Sequence, residues 1–349
     1  MINRGSLFLR KLSLWHQNLA KLLTRFYYKR IDVQGTKSAK PTLFLASHRN
    51  GATDGQIYVW ALDETPSLIS IQMLRKWFLR LLFDGIPVVR PKDVARYGIS
   101  PQAVASPIQQ AITQIAQGGS LCLMPEGSSE WQHQALPYKT GMAQIVQQLK
   151  QQQIDFEVQC LGLFYSRPDG FKSRVSIVFG TAFYPQSNDI EQIQQELSTA
   201  LKEVSVHCQS IAHFNQTQAL AWQHCQSQDS DYGQAFLAAQ QQTLLDPPAS
   251  LIQPHVWLHQ RLIQLFFIVA FFPTVVVARL AQKASDGRNN VTFFRLLGGF
   301  YGSLFTLLYW AILCYFTPIL AIFIIIVGHL AWYYYPEPTP INLSADLGR

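Results

Sequence analysis

The stretch that decides the fold runs from residue 42 to residue 54 and reads T-L-F-L-A-S-H-R-N-G-A-T-D. Its first five residues form a mostly apolar run, which predicts a buried strand. The run ends just before His48, and a carboxylate, Asp54, follows six positions later with Gly51 between them. A loop that only reversed the chain would use the glycine but would need neither an imidazole nor a carboxylate. His48 and Asp54 are therefore either ordinary loop and cap residues or one functional unit.

The same alternation of short apolar runs and helical stretches continues to about residue 185. Strands are predicted at Thr42–Ser47, Leu68–Met73, Ser120–Met124, Glu157–Tyr165 and Val175–Phe179. Helices are predicted at Gly55–Leu62, Ala103–Gln117 and Gly141–Gln152. This order predicts an α/β fold with a largely parallel sheet and flanking helices. Functional residues should then lie on loops at one edge of that sheet.

Composition separates a second part of the chain from this domain. Only 14% of the 349 residues are charged, well below the quarter that is usual for soluble proteins. The deficit is local, because residues 296–335 contain no Asp, Glu, Lys or Arg. We predict membrane-embedded helices at the C-terminus and divide the chain into 1–34 (basic amphipathic membrane-surface helix), 35–190 (α/β domain), 191–255 (polar helical region and linker, broken off at Asp246-Pro247-Pro248), 256–336 (membrane-embedded segments) and 337–349 (polar tail).

The N-terminal helix has two interpretations. Its apolar residues recur at three- and four-residue steps, and basic residues decorate the remainder. Such a helix suits the headgroup layer of an anionic leaflet. It is equally suited to cover the core of the α/β domain.

The membrane segments leave the topology open. Leu262–Leu280 is long enough to span a bilayer but has Pro273 in its middle. The second apolar segment, Tyr301–Tyr335, is divided by Thr317-Pro318 into pieces of about 16 and 17 residues, and each piece is short for a full span. The loop between the segments is basic, so we expect it on the cytoplasmic side. Either Leu262–Leu280 is re-entrant at Pro273, or the chain crosses three times.

The net charge of +7 is consistent with nucleic acid, an anionic membrane surface or an anionic substrate as partner. No nucleic-acid-binding module occurs in the sequence, so we predict no nucleic-acid partner. Membrane lipid has independent support from the apolar segments and is the predicted partner. No standard zinc spacing occurs either, and we predict neither a metal nor a cofactor.

A neutral imidazole held by a carboxylate is a general base of fixed orientation, which explains why His48 and Asp54 would occur together. Three later stretches add groups that could bind an anion or a substrate. G-I-P-V-V-R (85–90) ends in Arg90, M-P-E-G-S-S (124–129) contains a carboxylate and hydroxyls, and L-P-Y-K-T-G (136–141) places Lys139 before a helix. Arg49 and Asn50 flank the histidine and are candidates to shape the loop or to contact substrate.

The order strand–H-x5-D, G-I-P-V-x-R, P-E-G-S and C-L-G-L-F-Y, over about residues 40–185, resembles the four blocks of the glycerolipid acyltransferase family. The resemblance implies that His48 is the general base, that Asp54 orients it, and that Arg90 and the Glu126-Gly127-Ser128 turn line a phosphoglycerol site. Spacing H-x5-D instead of H-x4-D, and Ser129 where the family usually has arginine, are more similar to the glycerol-3-phosphate/dihydroxyacetone-phosphate acyltransferases.

The resemblance implies a membrane-bound O-acyltransferase, and the basic loop predicts that its catalytic domain faces the cytoplasm. The donor would be acyl-CoA or acyl carrier protein (acyl-ACP), and the acceptor glycerol-3-phosphate, lysophosphatidate or a related lysophospholipid. Two alternatives remain open, a non-catalytic lipid-binding or membrane-shaping protein on the same scaffold and an acyl-thioester hydrolase.

Overall fold

A computed structural model describes residues 9–98, 106–241 and 258–343 of the chain. The strands are β1 Arg30–Gln34, β2 Thr42–Ala46, β3 Leu68–Ser70, β4 Ile86–Val88, β5 Leu121–Leu123, β6 Glu157–Tyr165 and β7 Arg174–Phe179. The helices are α1 Leu14–Tyr27, α2 Thr53–Leu62, α3 Ile71–Arg75, α4 Trp77–Arg80, α5 Pro91–Tyr97, α6 Pro107–Ala116, α7 Gly141–Gln151, α8 Ile190–Glu203, α9 Ile211–Gln228, α10 Tyr232–Gln241, α11 Leu258–Ala270, α12 Phe272–Gln282, α13 Arg288–Phe316 and α14 Pro318–Tyr333.

The main sheet has the order β1-β7-β6-β2-β5. All neighbouring strands are parallel except β6 and β7, which form an antiparallel pair. A second small sheet pairs β3 with β4 in parallel. The predicted fold class, a largely parallel α/β sheet with flanking helices, is confirmed.

The strand β2 is buried on both faces because helices cover both sides of the sheet. Leu43 and Leu45 point into a core cluster with α6, α7 and α8, and Phe44 and Ala46 point into a second cluster with α2 and the end of α1. A strand covered on both faces has a continuous apolar sequence, which is why T-L-F-L-A shows no alternation.

The structure differs from the sequence prediction in two places: the sheet contains a strand before Thr42, and the predicted strand Leu68–Met73 is shorter. β1 pairs with β7, so residues 30–34 belong to the sheet and not to the N-terminal helical segment 1–34. The predicted strand Leu68–Met73 ends at Ser70, because the Ser70 hydroxyl caps α3 by accepting from the Gln72 amide. The linker at Asp246-Pro247-Pro248 lies outside the described residues, as do residues 103–105 of the predicted helix Ala103–Gln117.

Helix α1 covers the core with one face and exposes apolar residues on the other. Leu19 and Ala20 are buried, the latter beside Val59 of α2. Leu14 and Trp15, by contrast, are more than half exposed. The interpretation as a covering helix is confirmed, and contact of the exposed face with a membrane surface stays a prediction.

The C-terminal helices contain two breaks. α11 and α12 meet at an angle of 94° at Phe271, two residues before the predicted break at Pro273. α13 ends before Thr317 as predicted, but it extends back to Arg288 and is 29 residues long. The prediction of a short first piece was wrong because residues 288–300 continue the same helix and pack on the α/β domain. By length and composition alone, α13 could cross a membrane, and the bent pair α11–α12 is a second candidate within the described residues.

Small residues allow α12 and α13 to pack closely. A side chain at Gly298 would meet Ala281, and one at Gly302 would meet Thr274 and Val277. At the same contact the hydroxyls of Thr274 and Thr306 lie 2.7 Å apart. Close antiparallel packing of this kind is common between helices in membranes.

The loop between β6 and β7 is where the C-terminal helices meet the α/β domain. The Phe171 ring packs against Phe26 of α1, Phe267 of α11 and Tyr335 after α14. Further along, residues of the predicted polar tail return to α9, where Asn342 accepts from the Asn215 side chain. The described part of the chain is therefore held together at this loop and at α9.

Candidate active site

The loop after β2 leaves the sheet at Ser47 and carries the first candidate residues. The Ser47 amide still donates to the carbonyl of Leu161 in β6 at 2.9 Å, and the Ser47 hydroxyl accepts from the Leu163 amide. His48 is therefore the first residue beyond the last sheet contact. Its position agrees with the rule that sites in parallel sheets lie beyond the carboxyl ends of the strands.

The Asp54 carboxylate organises this loop. It is fully buried at the start of α2. Its Oδ2 accepts from the amides of Arg49 (2.6 Å) and Asn50 (2.8 Å), and its Oδ1 accepts from the Tyr165 hydroxyl at 2.5 Å. Gly51 closes the turn at φ +56°, where a side chain would also meet Asn290 of α13.

The His48 imidazole is held by the same carboxylate. Its Nδ1 lies 2.8 Å from Asp54 Oδ2, and 17% of the side chain is exposed. A carboxylate that already accepts from two amides selects the tautomer with the proton on Nδ1. The Nε2 atom then has a free lone pair, and no described residue forms a hydrogen bond with it. This nitrogen is available to accept a proton from a bound molecule.

Glu126 fastens the loop from the neighbouring strand end. One carboxylate oxygen accepts from the His48 amide at 2.7 Å, and the other accepts from the Leu136 amide at 3.2 Å. The side chain is only 3% exposed, and this burial raises the pKa of Glu126 although the two amides and Arg49 oppose the shift. Glu126 therefore holds the loop in place from below by accepting from two backbone amides.

The residues after Glu126 form a tight turn. Gly127 has φ +67°, and a side chain there would lie 2.6 Å from the Lys139 ammonium. Lys139 is exposed and lies across Gly127. Ser128 follows on the side of the loop that faces a cavity.

Arg49 and Asn50 lie below the loop. The Arg49 guanidinium is 1% exposed, stacks on Trp131 at 4.7 Å and donates to the Gln132 carbonyl. Asn50 is fully buried, and its amide donates to the Pro168 carbonyl at 2.9 Å. Both side chains shape the loop, and neither lines the cavity.

Arg90 is oriented by a buried partner. Its Nε and Nη2 atoms lie 3.0 Å from the two oxygens of Asp93, which is 1% exposed and also accepts from the Ser70 hydroxyl. Burial alone would raise the pKa of Asp93, but the hydrogen bonds and charge of Arg90 outweigh it and hold that pKa below its usual value. The arginine is 20% exposed and lines the cavity. Nη1 has no partner among the described residues.

A cavity of about 1370 Å³ joins these groups. Its polar part contains His48, Ser128 and Arg90. Its apolar part is lined by Met73, Leu82, Phe83, Phe293 and Leu297. A molecule with one polar and one apolar end fits this division, because each end meets surface of its own kind.

The first turns of α13 form one wall of the cavity. Asn289 lines it and also donates through its side-chain amide to the carbonyl and the hydroxyl of Ser129, the latter at 2.8 Å. Phe293 and Leu297 continue the wall on the same side of the helix. The C-terminal helices thus contribute directly to the site.

The structure brings together His48, Arg90 and Ser128 at the cavity. It places Asp54, Arg49, Asn50 and Glu126 below the cavity as supports, and Gly127 and Lys139 beside it. Among the described residues there is no cluster of three or more His, Cys, Asp or Glu side chains that could hold a metal ion.

Sequence reasoning missed three supporting residues. Tyr165 ends β6 beside β2, so its reach to Asp54 could be found from the parallel pairing of the two strands. Asp93 stands three positions after Arg90 in a capping-box arrangement, which is a visible sequence signal. Asn289 had no such signal, because only the folded chain brings α13 to the loop.

The chain matches one family model and is similar to solved structures. Residues 30–160 match the family model described as Acyltransferase. The chain is also similar to a solved structure from Thermotoga maritima, the 1-acyl-sn-glycerophosphate (LPA) acyltransferase PlsC. That similarity covers 54% of this chain and 76% of the other, with 14% sequence identity and a TM-score of 0.40. No curated protein matches the chain.

Glu126→Gln should destabilise the loop. An amide has only one acceptor oxygen, so either the His48 or the Leu136 amide loses its buried acceptor, at a cost of about 1–3 kcal/mol. We expect a lower melting temperature and faster hydrogen exchange over residues 47–51. The control is Glu130→Gln, because Glu130 is exposed and accepts only from the Gln132 side chain in the described structure. Equal melting temperatures for the two variants would show that the Glu126 hydrogen bonds do not stabilise the loop.

Proposed function

We propose that the chain is a member of the glycerolipid acyltransferase family, which its four sequence blocks resemble, and that it has the corresponding activity. Residues 30–160 match the family model described as Acyltransferase. The protein is a membrane-associated O-acyltransferase. It moves a fatty acyl group from a thioester, acyl-CoA or acyl-ACP, to a hydroxyl of glycerol-3-phosphate, lysophosphatidate or a related lysophospholipid. The observation that carries the proposal is the His48 imidazole, which buried Asp54 holds through Nδ1 at the wall of the cavity.

The chemistry is a direct transfer. His48 Nε2 accepts the proton of the acceptor hydroxyl while the hydroxyl oxygen attacks the thioester carbonyl. The tetrahedral intermediate collapses and expels the thiolate, which takes the proton back from the imidazolium. An ester bond forms, a thioester bond breaks, and the histidine is regenerated.

Asp54 contributes by holding the imidazole and by stabilising the imidazolium. A carboxylate that also accepts from two loop amides and from Tyr165 cannot rotate away during the reaction. The base is therefore preorganised before substrate arrives, which avoids an ordering cost in the transition state.

The polar part of the cavity suits a phosphate-bearing acceptor. Arg90 presents Nη1 there while Asp93 holds the other two nitrogens, so the guanidinium is fixed in direction. Ser128 adds a hydroxyl on the same side as His48. Arg49, Asn50, Glu126 and Gly127 support this arrangement from below, and Lys139 adds positive charge at the turn.

His48→Ala should lower turnover by on the order of a hundredfold or more, because it removes the general base. Asp54→Asn should lower kcat with little change in KM, since an amide favours the wrong histidine tautomer. Tyr165→Phe removes one donor to Asp54 but leaves Oδ2 on His48, and should cost less. The assay uses detergent-solubilised full-length chain, labelled acyl-CoA or acyl-ACP, and each of the three acceptors in turn. Melting temperatures of all variants serve as the folding control.

The outcomes separate the three candidate functions. Ester product from wild type but not from His48→Ala supports the acyltransferase and names the acceptor. Acyl release at the same rate without any acceptor would instead identify a thioester hydrolase. No transfer and no release from either donor would contradict an enzymatic role and favour a lipid-binding protein.

Arg90 has its own test. Removing Arg90 alone would leave Asp93 buried without its partner, so we use the double substitution Arg90→Met/Asp93→Asn. We expect KM for the phosphate-bearing acceptor to rise about tenfold, the effect of one charge-assisted hydrogen bond. The KM for the acyl donor should change little. A rise confined to the donor KM would rule out the acceptor role.

We further propose that the C-terminal helices enter the membrane and return on the same side. Both ends of the α13–α14 pair contact the α/β domain, Arg295 at the Asp169 carbonyl and Trp332 at the Phe26 carbonyl. Within this pair of helices, the exposed large apolar residues lie between Leu304 and Tyr334. α14 has 16 residues and is therefore about 24 Å long, short of a hydrocarbon layer of about 30 Å.

The basic loop between α12 and α13 indicates that this shared side is cytoplasmic. In a Cys314→Ser background, we introduce cysteine at Ser285, in the loop, or at Thr317, between α13 and α14. Neither should react with a membrane-impermeant maleimide added to intact cells, whereas Ser285→Cys should react in inverted vesicles. Labelling of Thr317→Cys from outside would establish a full crossing by α13. Labelling of Ser285→Cys from outside would reverse the orientation.

A further inference from the structure

Lys172, in the loop between β6 and β7, has an unusual combination of properties. Its backbone has φ +63°, a region that side-chain-bearing residues rarely adopt. Its side chain is only 4% exposed. Its amide donates to the Tyr27 carbonyl at 2.7 Å, which fixes the residue at the end of α1. A strained backbone and a buried charge at one residue point to a functional position.

The Lys172 ammonium lacks a partner of opposite charge. It lies 3.5 Å from the centre of the Trp332 ring and 5.7 Å from that of Phe171. No described residue accepts a hydrogen bond from it or forms an ion pair with it. Burial, and then the charges of Arg25 and Lys29, lower the pKa of Lys172 to about 7.

The surrounding charges are mainly positive. Arg25 and Lys29 are exposed on the last turn of α1 and just beyond it. Lys29 lies 3.6 Å from Glu337, but Arg174 is closer to that carboxylate, at 2.9 Å. Arg25 has no carboxylate partner within the described ranges. Lys172, Arg25 and Lys29 therefore form a group of cations whose nearby carboxylate, Glu337, is shared with Arg174.

The position of this cluster matches the headgroup level of a bilayer. Trp332 ends the apolar part of α14, and its indole donates to the Phe26 carbonyl. Tryptophan at the end of an apolar helix is typical of the membrane–water interface. Cations beside it would face the phosphate layer of the lipids.

From this geometry we propose that Lys172, Arg25 and Lys29 bind the phosphate of an anionic membrane lipid. The buried Lys172 ammonium on the Trp332 ring forms the base of the site, and the exposed Arg25 and Lys29 lie at its entrance. A phosphate accepts from all three at once, which supplies the missing partner of Lys172. The lipid chains then continue along the exposed apolar surface of the C-terminal helices. None of the three residues lines the active-site cavity, so the site is separate from it.

The test follows Lys172 directly, on full-length protein in neutral detergent. Acetic anhydride labels neutral amines, and mass spectrometry quantifies labelling of Lys172 against exposed Lys202 as internal reference. The probes are dihexanoyl phosphatidic acid, dihexanoylglycerol, which lacks the phosphate, and inorganic phosphate. At pH 6, a bound phosphate that raises the pKa of Lys172 from about 7 by about one unit slows its labelling about tenfold. Phosphatidic acid should have this effect, and Lys202 should not respond.

The variant Arg25→Gln/Lys29→Gln should lose most of this protection, with each variant normalised to its own rate without ligand. Its matched control is Lys11→Gln/Lys21→Gln, which removes the same charge nearby from residues paired with Glu64 and Asp63. Protection that the control variant loses equally would overturn the proposal.

The remaining outcomes are also decisive. Equal protection by dihexanoylglycerol would show an apolar contact and no phosphate site. Equal protection by inorganic phosphate would assign the site to free phosphate instead of lipid. A Lys172 that stays unlabelled at alkaline pH without ligand would show that no ligand can reach it. The assay requires no turnover, so its result is independent of the proposed acyl transfer.

Discussion

The buried carboxylate of Asp54 is the interaction on which the site depends. Four donors converge on it, from His48, Arg49, Asn50 and Tyr165. A carboxylate that is buried away from solvent requires hydrogen-bond donors, because burial of an unpaired charge is very unfavourable. In this conformation the loop both satisfies Asp54 and places His48 at the cavity. The same hydrogen bonds therefore fix the loop and the orientation of the imidazole.

Two further supports extend this constraint outward. Glu126 holds the His48 amide from the next strand end, and Asp93 holds Arg90 across the cavity. In each case a buried carboxylate fixes the residue that meets the cavity. The acidic residues thus position their neighbours, and the polar groups that line the cavity include an imidazole, a guanidinium and a hydroxyl.

Much of the fold could be predicted from the sequence, because β2 and β6 are continuous apolar runs and Thr317-Pro318 interrupts an apolar helix. β1 could not, since R-I-D-V-Q at a sheet edge looks like the end of the basic helix before it. His48 and Asp54 were predicted as a pair from the sequence, and the structure places His48 Nδ1 2.8 Å from Asp54 Oδ2. The burial of Arg49 under the loop depends on Trp131, far along the chain, and no local pattern reports such a contact.

One carbonyl, that of Pro168, accepts from the Asn50 side-chain amide in the loop after β2 and from the Thr292 hydroxyl of α13. The loop after β2 and helix α13 therefore both donate to a single oxygen atom, which lies in the β6–β7 loop. Movement of α13 away from the domain would remove Thr292 from this carbonyl and so act on Asn50, while every strand contact stays in place. A circular dichroism spectrum reports helices and strands and would not register such a change.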